Sequence, residues 1–203
     1  MNKKTLIVAV ALAAQVAAIG WLIWRYERVV CNGTEVRFKC QAYDPYDPLR
    51  GRYLRMTVNE RTACIPSCVS NTYEHSDKFV VRVEPSTNGL WCVAEAAFAP
   101  TDEGLWVKPR SSHVDHRITW ADREKDEEWE QFDKRRNASG LVVEASFPDQ
   151  LFVNEKLAPA AEKLLREKVN DAVAVYRVLN GEIVLTGIEI EGKPILDQVR
   201  KSE

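Results

Sequence analysis

Three groupings in this 203-residue chain have the residue types and spacing that chemistry needs. His113-Val114-Asp115-His116 is the nearest to a metal cluster. On a helix, histidines three apart would share a face, with Asp115 free to ligate or to orient them. Ser111 and Ser112 precede the pair, no third ligand lies nearby, and no metalloprotease pattern surrounds it. Histidines in a surface loop are the plainer reading. Cys64-x-x-x-Cys68, followed by His75, offers three zinc ligands without a fourth at finger-like spacing. Its separation also differs from the redox Cys-x-x-Cys, so a loop disulfide or inert thiols is the plainer reading there. Asp44 and Asp47 form the third grouping. Two carboxylates can work as acid and base if their surroundings split their pKa values. Each precedes a proline, where a carboxylate more commonly accepts backbone N–H bonds in a turn. The sequence carries no Gly-x-Ser-x-Gly, phosphate-cradling glycine loop or dinucleotide fingerprint.

The elements that would hold these groups can be read from the periodicity. Residues 34–42 alternate, with Val36, Phe38 and Cys40 on one face and Arg37 and Lys39 on the other, a half-buried strand. A second strand over 52–59 places Leu54, Met56 and Val58 together. Between them, Pro45 and Pro48 fix two φ angles and Gly51 admits a conformation that a Cβ resists. The resulting double-kinked loop presents Asp44, Asp47, Pro48, Leu49, Gly51 and Tyr53 in a defined arrangement, the candidate interaction surface. Residues 62–77 read as loop, with further strands over 79–83, 90–98, 105–108 and 140–147. Residues 122–137 form a charged insertion with Trp129 and Phe132 three apart on one helical face. Pro159 opens a helix running to Val169. Residues 172–179 and 182–191 flank Asn180-Gly181, a strong type I′ hairpin signal, with Val184, Ile188 and Ile190 expected inward. The expected class is α+β, mainly antiparallel β with one or two packed helices.

A single transmembrane helix is expected to precede that domain. The run that opens with Thr5 and closes with Trp24 has Gln15 as its only strongly polar side chain, and twenty residues of helix cover about 30 Å of hydrocarbon. Trp21, Trp24 and Tyr26 gather at its far end, where amphipathic rings settle at the interface. The rival is a cleaved signal peptide with small residues at Ala17, Ala18 and Gly20. The apolar run continues past them, which favours an uncleaved anchor. Lys3 and Lys4 place the N-terminus in the cytoplasm and the domain outside. An oxidising compartment would let Cys31 pair with Cys40, and Cys64 with Cys68, leaving Cys92 as a buried thiol. A net charge of −2 gives no steering toward nucleic acid.

The order of one anchor, a strand, Asp-Pro-x-Asp-Pro-Leu-x-Gly-x-Tyr and a following strand resembles the GDYXXLXY family of small bacterial membrane-anchored proteins, which lack an assigned activity. Phe152-Val153-x-Glu155, a helix and a closing hairpin with Gly192 extend the resemblance over most of the domain. Gly51 and Tyr53 match the motif, whereas Arg52 replaces its Asp, Met56 its Leu and Val58 its Tyr; Asn154 stands for an expected Pro. The resemblance implies fold, anchoring in the bacterial inner membrane and a membrane-protein partner. It implies no role for the motif's own Asp.

These readings divide the chain into residues 1–28, cytoplasmic stub and anchor, and residues 29–203, an extracytoplasmic β-rich domain. The leading expectation is a non-catalytic interaction module without a cofactor. The alternatives are a small hydrolase or metal-dependent enzyme using Asp44 and Asp47 or His113 and His116, and a redox or metal-sensing module built on Cys64 and Cys68.

Overall fold

A computed structural model describes residues 3–42, 53–65, 78–118, 120–125 and 127–201. Its first element is α1 (Lys3–Asn32), of which Leu6–Asn32 is long and apolar enough to cross a membrane. The helix outlasts the apolar run by eight residues, because Arg25 to Asn32 change the surface without breaking the backbone ladder. It therefore carries Cys31, and Gly33 alone separates it from β1 (Thr34–Ala42).

Among the described residues the strands form two six-stranded sheets. The first orders as β12 (Lys193–Pro194), β11 (Glu182–Ile190), β10 (Ala172–Leu179), β1, β2 (Tyr53–Val58) and β9 (Gln150–Phe152), antiparallel throughout. The second orders as β6 (Leu105–Val107), β4 (Val80–Pro85), β5 (Trp91–Ala97), β3 (Thr62–Cys64), β8 (Leu141–Ser146) and β7 (Ser111–His116). Its one parallel pair is β3 with β5. Both sheets turn one face to a single buried cluster. Val36, Phe38 and Cys40 enter it from β1 as the alternation requires, and Leu54, Met56 and Val58 enter from β2. Phe38 stacks on Phe147 at 5.4 Å and meets Tyr176 edge-on at 5.8 Å. The Tyr176 hydroxyl donates to the Pro148 carbonyl at 2.8 Å, so its polar end is satisfied inside. Two short helices close the core: α3 (Ala158–Glu167) through Ala161 and Leu165, and α4 (Ile195–Arg200) through Ile195 and Val199. The class is α+β and mostly β.

Several local expectations need correction. Residues 62–77 were to be loop, but Thr62–Cys64 is a central strand, too short to show a period. His113 and His116 lie in β7, not in a loop. That strand is polar because it is the sheet's edge, paired among the described residues with β8 alone. In β11, Val184 does not share a face with Ile188 and Ile190. Leu185 opposes Tyr176 while Gly187 opposes Val175, so Thr186 is an extra residue in the ladder. Its hydroxyl donates to the Val175 carbonyl at 3.0 Å. The bulge shifts the phase: Ile183 and Leu185 are buried before it, Ile188 and Ile190 after it. Asn180 (φ 51°) and Gly181 (φ 81°) form the expected left-handed hairpin turn. In the insertion, α2 (Trp129–Ala138) buries Phe132 fully while Trp129 stays exposed under the Arg123 guanidinium, 3.8 Å from its ring centre. The two rings, three residues apart on the helix, differ in burial.

Candidate functional site

The best-built junction is where α1 meets the first sheet. Val29 is buried there, its face covered by β10 and β11. Gly33 donates its N–H to the Val29 carbonyl at 2.9 Å, closing the helix. The Gly33 carbonyl accepts from Arg177 Nη1 at 3.1 Å, and Arg177 Nη2 donates to Glu35 at 2.9 Å. Two turns lower, Arg25 Nε donates to both oxygens of Glu182, at 2.8 and 3.0 Å. That hydrogen bond, aided by the charges of Arg25 and Lys108, holds the Glu182 carboxyl below the usual range. The turn of the β10–β11 hairpin therefore reaches down beside α1. Lys108 donates its N–H to the Gly181 carbonyl at 2.8 Å, which ties the second sheet to the same turn. A largely apolar cleft of about 380 Å³ opens there, lined by Val80, Pro100, Leu105, Trp106, Lys108 and Gly181 among others. At the head of the apolar run, Arg25 lies over Trp21 and Arg28 over Trp24, each 5.5 Å from the ring centre.

A second, polar arrangement surrounds Asp149. Arg55 Nε donates to one carboxylate oxygen at 2.7 Å and Arg110 Nη1 to the other at 3.3 Å. The Asp149 carbonyl accepts the Met56 N–H at 3.0 Å. A cavity of about 110 Å³ lies between Arg55, Thr57, Arg61, Ser146, Asp149 and Tyr176. With both oxygens engaged, the carboxylate acts as a clasp joining β2 to the segments around β7 and β9. No sequence pattern announced it, because Arg55 lies 94 residues from Asp149.

Among the described residues, those singled out from sequence do not converge. Asp44, Asp47, Pro48, Leu49 and Gly51 lie outside the described residues. Tyr53 begins β2 and is buried, with the Phe152 ring 6.1 Å away, so it supports the fold and is no surface contact. His113 is exposed, and three residues along a strand put His116 on the opposite face. Asp115 accepts the His116 backbone N–H at 2.7 Å and faces Arg136 at 3.4 Å. Among the described residues no group of three His, Cys, Asp or Glu side chains is placed to hold a metal. Cys64 is an exposed thiol, while Cys68 and His75 lie outside the described residues. The Cys31–Cys40 disulfide is overturned. Cys31 is exposed in the last turn of α1 and Cys40 is buried six residues into β1. Thr34 to Cys40 alone spans about 20 Å, against the 7 Å that a disulfide's Cα atoms tolerate. Burial pushes the Cys40 thiol up to about 12. Cys92 is only partly buried, its sulfur 3.8 Å from the Glu84 carbonyl.

No curated protein and no solved structure matches the chain. A family model described as GDYXXLXY protein matches residues 15–188, from the middle of α1 to the end of the bulged strand β11. That match takes in the second half of α1, most of both sheets and the junction between them, and the chain belongs to the GDYXXLXY protein family.

Proposed function

We propose that this chain is a single-pass protein of the bacterial inner membrane whose extracytoplasmic domain binds another membrane protein without catalysing a reaction. The observation that carries the reading is the continuity of α1: one exposed apolar helix, Leu6–Asn32, runs into a domain that is bonded to its last two turns. A stalk held this way sets where a binding surface stands above a bilayer. Trp21, Trp24 and Tyr26 mark the interface and Lys3 and Lys4 the cytoplasmic side.

The Asp-Pro loop with Asp44, Asp47, Pro48, Leu49 and Gly51 is the proposed contact. Its position relative to the anchor follows from topology. The β10–β11 turn hangs beside Arg25, so β10 runs toward the membrane and its antiparallel neighbour β1 runs away. The loop leaves β1 after Ala42, roughly 25 Å along the strand from the helix end. A partner reaching it needs its own extracytoplasmic part. Crosslinking in intact membranes, followed by mass spectrometry, tests the reading, and a stoichiometric partner lost with Gly51→Val is expected. If Asp44→Asn and Asp47→Asn fold normally and keep the partner yet abolish the cellular phenotype, the carboxylates are catalytic and the module reading fails.

A further inference from the structure

Gln15 lies ten residues before Arg25, about 15 Å along the helix, which is mid-depth in a hydrocarbon core of about 30 Å. An amide there finds no water, and leaving it unpaired is costly. Among the described residues nothing of its own domain covers it: α1 is exposed from Leu6 through Arg28. Its phase on the helix is informative. Val8, Gln15, Leu22 and Val29 recur at every seventh residue, and Ala11, Ala18 and Arg25 interleave at every seventh. At about 3.6 residues per turn all fall within roughly 60° of Val29. At the about 3.5 of a supercoiled pair they form the two rows of one seam. The upper end of this seam is occupied: Val29 is buried under β10 and β11, and Arg25 is bonded to Glu182. The lower end, with two alanines that permit close approach and one carboxamide between them, is open.

Resting on the anchor reading above, we infer that Val8, Ala11, Gln15, Ala18 and Leu22 pack against one transmembrane helix of a different protein, which hydrogen-bonds Gln15 and ends beneath the β10–β11 turn. The covered upper end selects this occupant. A second copy in parallel would have to continue through the level of Arg25 to Asn32 to reach its own domain. On this face that space is filled by the hairpin. A helix that turns back at the membrane surface fits, and its end would meet Asn180, Gly181 and Lys108 at the mouth of the apolar cleft. The facing helix must carry a side chain that donates to or accepts from a carboxamide at mid-depth.

The experiment uses the full-length chain in membranes of its native host, with a photo-reactive residue replacing Ala11, Ala18 or Leu22, or Ala9, Ala13 or Gly20 on the opposite side. Adducts are expected from the first three positions only. Mass spectrometry should place the crosslink within a membrane-spanning segment of another protein. Gln15→Leu should lower adduct yield at Ala18 roughly three- to tenfold, the range of an interhelical hydrogen bond, while Gln15→Asn should retain most of it. An adduct at twice the chain mass, equal adducts from both sides, or an unchanged yield in Gln15→Leu overturns the inference. Alkaline extraction of the same membranes separates it from the anchor reading. A retained chain without seam adducts refutes the seam alone, and a truncated soluble chain refutes the anchor and the seam with it.

Discussion

Gly33→Ala is the sharpest test of a rigid coupling between anchor and domain. A Cβ on Gly33 would lie 2.5 Å from the Val29 carbonyl oxygen, 3.0 Å from the Val178 nitrogen and 3.1 Å from the Arg177 Cβ. Two of those atoms are backbone, so no flexible side chain can swing aside. If the helix end stays docked, the surroundings must yield, and overpacking of this kind costs about 1–3 kcal/mol. If it peels away, Val29 returns to solvent at about 1.5–3 kcal/mol, and the exposed Arg25–Glu182 pair is lost at about 0.2–1 kcal/mol more. The cheaper route sets the loss, about 1–3 kcal/mol, or roughly 3–9 °C in Tm for a domain of this size. The assay is thermal unfolding of the full-length protein in detergent micelles, with Gly187→Ala as control, since a Cβ there meets nothing within 4 Å. An open glycine-to-alanine site gains about 0.4–1 kcal/mol from the unfolded chain, so the sign itself discriminates. Gly33→Ala melting at or above the wild-type temperature would refute the packed junction.

Thiol accessibility should divide sharply: a hydrophilic maleimide at pH 8 should label Cys31 and Cys64 in the folded protein, and Cys40, buried and shifted up to about 12, only after unfolding. Rapid labelling of native Cys40 would contradict the inward face of β1. The Glu182 carboxyl is depressed by Arg25, so it contributes stability fully above its unfolded value near 4.3, and that contribution fades as pH falls through the lower folded value. Protection factors of the 178–184 turn, corrected for the intrinsic pH dependence of exchange, should therefore fall below about pH 4, and do so less in Glu182→Gln. Phe132 is buried but stands apart from the main cluster, so Phe132→Ala should strip exchange protection from Trp129–Ala138 with little change in overall Tm. Phe38→Ala, in the shared core, should cost about 3–5 kcal/mol in denaturant unfolding.

What could be read from the sequence was whatever has a local cause. The strict alternation around Val36, Phe38 and Cys40 has one physical solution, and so does Asn-Gly between two apolar runs. Elements whose stability comes from neighbours were hidden. β3 is three residues held between β5 and β8, and β7 is a polar edge strand whose pairing lies entirely in β8. The single extra residue at Thr186 turned the half of β11 before it to the opposite face, so Val184 was misplaced while Ile188 and Ile190 face inward as expected, since a period of two keeps no memory across a bulge. The Asp149 clasp was hidden for the same reason, its two arginines arriving from 94 and 39 residues away. Tyr53 was read as a contact because it closes a constrained loop, but Phe152 on a strand that no pattern revealed covers it.

The junction bears on what an anchor of the proposed kind can be for. A domain on a flexible tether samples orientations freely, and such tethers are rich in Gly and Ser. Here one residue separates a membrane-length helix from a central strand, and that residue is fixed by bonds to Val29 and Arg177. The Arg25–Glu182 pair adds a second point of attachment two turns away, so tilting about Gly33 alone would break it. If α1 crosses a bilayer as proposed, its rotation there is rotation of the whole domain. Any contact that sets the azimuth of α1, through Gln15 or otherwise, also sets the direction in which the far end of β1 presents its loop. Recognition inside the membrane and recognition above it would then be one event transmitted through Gly33, and its small size is what lets the helix end lie close enough to transmit it.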